Sequence, residues 1–284
     1  MEAVAPARLA EPWDNVGLLL GDRAATCRRV LVSVDWTPQV LAEALGMRAD
    51  AVVSYHPPIF EALKRLDAAD PAQGALLGAA RAGIALLSPH TAYDAVQGGM
   101  TDWLAEGLAG GARELARVAA HEALRPASVP PVPTSRPSLH EGAGRLLELR
   151  RDQPLSAIAA RLRRFLGAPR IDAVVAGARH RRIAICPGAG AGFLPEAIAR
   201  GATLLVTGEA RHHEQLAARA AGVSMLLAGH TWTERGCMPR LARALSSALP
   251  GPSFTVASSD LPPLTDAGAR PRSARAARRP ARPR

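Results

Sequence analysis

Apolar positions along this chain come in short runs that stop at polar or turn residues. Residues 29–35 read Arg-Val-Leu-Val-Ser-Val-Asp, a β-branched run with a polar end, as expected of a buried strand. Thr37-Pro38 then offers an N-cap followed by proline at the first helical position, which predicts a helix to about Gly46. A second strand, Ala51-Val52-Val53-Ser54, runs directly into Tyr55-His56-Pro57-Pro58. Helical spacing predicts a helix over about 73–82, and the strand 84–88 ends at Pro89-His90. Strand, helix, strand, helix, strand is the alternation of a parallel sheet with crossover helices.

The same alternation returns after a break. Residues 125–137 hold five prolines among small polar residues and read as a linker or long surface loop. A strand over 144–149 and an amphipathic helix over 155–166 follow. Next come a strand over 182–186, a glycine turn, a helix over about 192–200 and strands over 203–207 and 225–228. The last of these ends at Gly229-His230, where a helix is predicted to start and run to about Leu249. The predicted class is therefore α/β, with two similar halves of mixed or parallel sheets flanked by helices. The expected divisions are an N-terminal half (1–124), a proline-rich linker (125–140), a C-terminal half (141–262) and an arginine-rich tail (263–284).

Composition changes this picture little. The 284 residues are 48% apolar, enough for real cores and too many for a disordered chain. No uncharged apolar run reaches the ~18 residues of a membrane span, and no secretory signal is evident. Cys27, Cys186 and Cys237 are widely spaced and odd in number, which fits a reduced, intracellular protein. The net charge of +10 is concentrated at the end. From Thr265 onward stand Arg270, Arg272, Arg275, Arg278, Arg279, Arg282 and Arg284 against Asp266 alone. This tail could meet nucleic acid or acidic lipid by counterion release, or be a solvated end.

The candidate chemistry lies where strands end. His56 follows a strand, and the two prolines after it stiffen the exit and fix the ring's direction. His90 and Asp94 stand four apart, on one face if that segment is helical. His230 and Glu234 are also four apart, within reach of one ion or simply a surface pair. His212 and His213 follow Thr207-Gly208-Glu209 and could orient ligands, or only open a helix. Gly188-Ala189-Gly190-Ala191-Gly192 could cradle an anion, though a close-packed turn explains it as well. Trp13, before Asp14-Asn15, reads as a core or interface residue. The carboxyl-end crevice of open α/β sheets is where ligands bind, and mixed imidazole and carboxylate shells suit divalent cations.

Taken in order, these segments resemble one family. Glu11-Pro12-Trp13-Asp14-Asn15-Val16-Gly17-Leu18, Ser54-Tyr55-His56-Pro57-Pro58-Ile59-Phe60 and Ser88-Pro89-His90-Thr91-Ala92-Tyr93-Asp94 carry the first part. Gly98-Gly99-Met100-Thr101-Asp102-Trp103-Leu104, Thr207-Gly208-Glu209 with His212-His213, and Gly229-His230-Thr231-Trp232-Thr233-Glu234-Arg235-Gly236 complete it. The chain is similar to the GTP cyclohydrolase I type 2 family, also called NGG-one interacting factor three-like, and its Tyr-His-Pro-Pro wording to the eukaryotic branch. The resemblance implies two α/β halves around a dinuclear metal centre in the cleft between them, often within a toroidal homohexamer. Carried across residue by residue, the metal ligands would be His56, Asp94, His230 and Glu234, with His90 beside them as a ligand-orienting or catalytic proton-transfer group. Tyr55, His212 and His213 would stand behind them. Tyr55 occupies a position where the common bacterial pattern has a further histidine, and a neutral phenol is the poorer ligand.

Two functions compete on this basis. One is a hydrolase dependent on one or two divalent ions of the zinc, iron or manganese type, acting on a nucleotide or phosphoester. The other is a cytoplasmic or nuclear interaction protein with transcription-related partners and a structural metal. Either is expected as a homo-oligomer, from dimer to hexamer, away from membranes.

Overall fold

The computed structural model describes residues 1–109, 123–126 and 140–264. Most of the expected proline-rich linker (127–139) and nearly all of the arginine-rich tail (265–284) lie outside the described residues.

The first sheet is built from β1 (Gly17–Leu20), β2 (Arg29–Ser33), β3 (Ala51–Ser54) and β4 (Ala85–Ser88). Between them run α1 (Pro38–Gly46) and α2 (Pro71–Ala82), and after them α3 (His90–Ala95) and α4 (Met100–Ala109). Thr37 caps α1 as its sequence predicts, accepting a hydrogen bond from the Val40 amide at 3.2 Å with Pro38 next in line. A short pair, β5 (Arg125–Pro126) and β6 (Gly142–Ala143), leads into the second half. There follow β7 (Arg145–Pro154), α5 (Leu155–Leu166), β8 (Asp172–Val174), β9 (Arg179–Ile185), α6 (Leu194–Ala199), β10 (Leu204–Thr207), α7 (His212–Ala220) and β11 (Ser224–Leu227). The chain closes with α8 (Met238–Ala248) and β12 (Ser253–Val256).

Both sheets have five strands and a parallel centre. The first has the order β1-β4-β3-β2-β12, with β1 alone antiparallel. The second has the order β7-β9-β10-β11-β8, with antiparallel strands at both edges. Strands buried on both faces read as continuous apolar runs, which is why the sequence pattern found them.

The sheets do not divide the chain where sequence order suggested. β12, from the end of the chain, pairs in parallel with β2, and α8 packs Leu241 and Leu245 against Val30, Val32 and Val53 of the first sheet. In the other direction α4 packs Leu104 and Leu108 onto Leu147, Ile183 and Val206 of the second sheet. Each half therefore lends a helix to the other. A parallel sheet must be covered on both faces, but the apolar stripe of a helix does not say which sheet it will cover.

Candidate metal centre

The carboxyl ends of six strands face one another across the junction of the two sheets. On the first side, Asp35 follows β2, Tyr55 and His56 follow β3, and His90 follows β4. On the second, Cys186 and Gly188 follow β9, Glu209 follows β10 and His230 follows β11. The cleft between them has a volume of about 590 Å³, within the usual range for a small-molecule site.

Glu234 is the centre of this arrangement. It is 3% exposed, with Oε1 3.1 Å from His230 Nε2 and Oε2 3.5 Å from His56 Nε2. The second distance is too long for a good hydrogen bond, and Oε2 has no hydrogen-bond partner among the described residues. The His230–Glu234 spacing does not arise from the α-helix predicted there. Residues Thr231–Thr233 and Arg235–Cys237 form two 3₁₀ turns broken at Glu234, and α8 begins only at Met238. Pro239, in the first turn of α8, cannot sit in a helix interior, so the α-helix cannot extend back through Arg235.

Three histidines present the same arrangement. His56 Nδ1 lies 2.8 Å from Asp35 Oδ1, His90 Nδ1 2.8 Å from Asp14 Oδ1, and His230 Nδ1 2.9 Å from Glu209 Oε1. A carboxylate on one ring nitrogen fixes the orientation and turns the other nitrogen toward a ligand. His56, His230 and Glu234 bring their ligating atoms within 4.8 Å of one another. A divalent ion takes N and O ligands at about 2.0–2.2 Å, so it fits among these three, and the unpartnered Glu234 Oε2 is a donor ready for it.

Charge follows the same geometry. Burial opposes protonation of His56, but Asp35 and Glu234 outweigh it and raise its pKa to about 10. His230 is raised to about 9, chiefly by Glu234, against the effect of burial. Burial would raise the Glu234 pKa, but the hydrogen bond from His230 and the positive charge of both histidines hold it below the usual carboxylate range.

Asp94 stands apart from this trio. α3 is helical, so His90 and Asp94 do share a short helix, yet they do not pair with each other. The Tyr55 hydroxyl donates to Asp94 Oδ1 at 2.5 Å, while His90 turns to Asp14. Burial raises the Asp94 pKa to about 6, and burial with the charge of Asp94 keeps the Tyr55 phenol well above 10 and therefore protonated. His90 takes a φ of +25°, uncommon for a residue with a side chain, and its amide is tied to the Tyr55 carbonyl at 3.2 Å.

Several expectations change. His212 and His213 open α7, are exposed and do not line the cleft. The supporting role expected of them falls to Asp14, Asp35 and Glu209. Asp35 and Glu209 obey the after-a-strand rule that picked out His56 and could have been found by it. Trp13 is not a core residue: it is 60% exposed at the cleft mouth, 6.0 Å from Phe60 and 6.1 Å from His90 between ring centroids. The glycine turn is a close-packed junction. The Gly188 amide donates to Thr233 Oγ1 and the Gly190 amide to Thr207 Oγ1, and a Cβ on Gly188 would sit 2.5 Å from Glu234 Oε1.

Comparison with known proteins finds relatives of the whole chain. A family model described as Duf34/NIF3 (NGG1p interacting factor 3) matches residues 1–262. The chain is 34% identical to the NIF3 homolog of Schizosaccharomyces pombe, covering 93% of this chain and 95% of that protein. It is 28% identical to a GTP cyclohydrolase 1 type 2 homolog of Clostridium perfringens, covering 81% and 82%. The crystal structure of a Bacillus cereus protein related to NIF3 superposes with a TM-score of 0.80 over 93% of this chain and 96% of that one, at 19% identity.

Proposed function

The chain belongs to the Duf34/NIF3 family, and on that premise we propose that it is a divalent-metal-dependent hydrolase acting on a nucleotide or phosphoester. The observation that carries this reading is the buried Glu234 carboxylate, with one oxygen unpartnered, between two imidazoles whose far nitrogens are held by carboxylates. His56, His230 and Glu234 would hold one ion of the zinc, iron or manganese type. When bound, a divalent ion supplies Lewis acidity and eases ionisation of water at neutral pH. Asp94, expected as a fourth ligand, is instead engaged by the Tyr55 hydroxyl, and this supports one ion per chain rather than two.

His90 is the proton-handling group in this reading. Asp14 holds its Nδ1 and Thr91 anchors Asp14 through both backbone amide and hydroxyl, which leaves His90 Nε2 for the cleft. An imidazole so placed can take a proton from water and then return it to a leaving oxygen. Trp13 and Phe60 form an apolar wall on one side of the mouth.

A second reading is a regulatory protein whose metal site is structural. The family's description as an interacting factor supports it, as do the exposed side chains of Phe60, Leu63 and Leu66 in the loop after β3. Transcription-related partners and a cytoplasmic or nuclear location belong to this second reading, while a homo-oligomer, from dimer to hexamer, belongs to both.

The test is metal content of protein purified without chelators, beside His56→Ala and Glu234→Ala, followed by a nucleotide and phosphoester screen of the loaded protein and His90→Ala. About one ion per chain, lost in both ligand variants, with turnover that fails in His90→Ala, would support the hydrolase. Metal retained without turnover would favour the regulatory reading. Metal content indifferent to His56 and Glu234 would sink both.

A further inference from the structure

A chain of charged groups runs from the last described segment of the protein to the metal site. Asp260 is 8% exposed, and its Oδ2 accepts the Val34 amide at 2.6 Å and lies 2.6 Å from Arg235 Nη1. The same Nη1 also donates to the Asp260 carbonyl. Arg235 Nη2 reaches Asp35 Oδ2 at 3.2 Å, and Asp35 Oδ1 holds His56 Nδ1 at 2.8 Å. Asp260 itself is fixed because Ser258 and Ser259 donate their amides to Glu43 of α1 at 3.0 and 2.8 Å. Asp35 thus gives one oxygen to His56 and the other to Arg235. Without Arg235 its side chain, 35% exposed, would have no second anchor among the contacts described here.

We propose that Arg235 is a positioning residue for the metal site: by joining Asp260 to Asp35, it fixes the carboxylate that aims the His56 imidazole at Glu234. A guanidinium suits this role because its planar fork can hold two carboxylates in fixed directions, which an ammonium cannot. The strand end carrying Asp35 is thereby set from two sides, by the β12 segment and by the residue next to Glu234. Carboxylates behind metal-bound histidines usually contribute about 10- to 100-fold to affinity, and that is the range open to a group acting through one of them.

This inference rests on the metal-site reading above, and the test separates the two. Cobalt(II) affinity and the visible ligand-field spectrum would be measured for wild type, Arg235→Gln, Asp35→Asn and the double variant, with the melting of metal-free protein as a folding control. Arg235→Gln is expected to bind cobalt about 10-fold more weakly with a shifted spectrum. The double variant should bind no more than about twofold more weakly than Asp35→Asn alone, because both changes break one path. If Arg235→Gln fails to fold, Asp260→Asn keeps an acceptor for Val34 and removes the charge facing Arg235, with a weaker effect of the same sign expected. Wild-type affinity and spectrum in these variants, or losses that multiply in the double variant, would overturn the proposal. No cobalt binding by wild type would overturn the metal reading and this inference with it.

Discussion

Two buried charge clusters hold the halves of this protein together, and they differ in what they leave unused. Arg145 is fully buried, and its guanidinium binds Asp102 through Nε at 2.8 Å, the Gly142 and Gly144 carbonyls through Nη1, and the Ala95 and Val96 carbonyls through Nη2. Asp102 in turn accepts the Gly98 amide at 2.6 Å. Every nitrogen of that guanidinium has a partner, and the cluster pins the end of α3 to β7. Around Glu234 the burial is similar, but one carboxylate oxygen makes no hydrogen bond and two imidazoles point at the same small volume. Burying a polar group without a partner costs free energy, so such a group persists where something else completes it. Burial and charge mark both places; only unfilled valence separates a fastening from a binding site.

The largest expected effect tests the closed cluster. Arg145→Met should destabilise the protein by about 3–5 kcal/mol in denaturant melts, because the buried Asp102 carboxylate loses the guanidinium that balances its charge. Protein that still folds should bind metal as wild type does. Glu234→Gln should act the other way round. Metal retention should fall more than about 100-fold, exceeding the usual effect of groups behind the ligands, while the metal-free fold melts closer to wild type than Arg145→Met does. If the two variants exchange these phenotypes, the distinction between clusters is wrong.

A gain of function would sharpen the comparison further. Tyr55→His removes the hydroxyl from Asp94 and adds an imidazole beside it, so metal analysis should move from about one ion per chain toward two. A count that stays at one would show that Tyr55 does not control occupancy. The smallest effect belongs to Asp14. Burial would raise its pKa, but hydrogen bonds from His90 and Thr91 hold it below 3.8 in the fold. A carboxylate lowered in the folded state contributes stability above its unfolded pKa and loses it as pH falls through the folded one. Asp14→Asn should therefore cost about 1 kcal/mol near neutral pH, with the gap to wild type closing below about pH 4. A gap that stays constant with pH would mean the contribution is not electrostatic.

Much of both halves was legible because the signals are local. Thr37-Pro38 sets the start of α1, the apolar run at 51–54 is β3, and Leu155–Leu166 is helical as its spacing predicts. Placing His56, His90 and His230 at strand ends needed no more than this. The spacing of four between His230 and Glu234 suits an α-helix, but Pro239 keeps α8 from extending back and two 3₁₀ turns bring the same two residues together by another path. Asp14, Asp35 and Glu209 are not picked out by the sequence reading, since what marks them is the ring nitrogen each one faces across tens of residues of sequence.

The amino-acid order by itself determined the central strands of both sheets and most of the helices between them, because burial on two faces and helix capping are properties of neighbouring residues. It also determined which side chains stand at the strand ends. Only the tertiary structure decided that β12 and α8 complete the first sheet while α4 covers the second. Apolar stripes carry no address for their partner, so that exchange is settled by packing the whole chain at once. The same packing brings Asp260 to Val34 and Arg235 to Asp35, contacts between residues 226 and 200 positions apart. Unfilled valence at Glu234 is a property of that assembled space, and no run of sequence contains it.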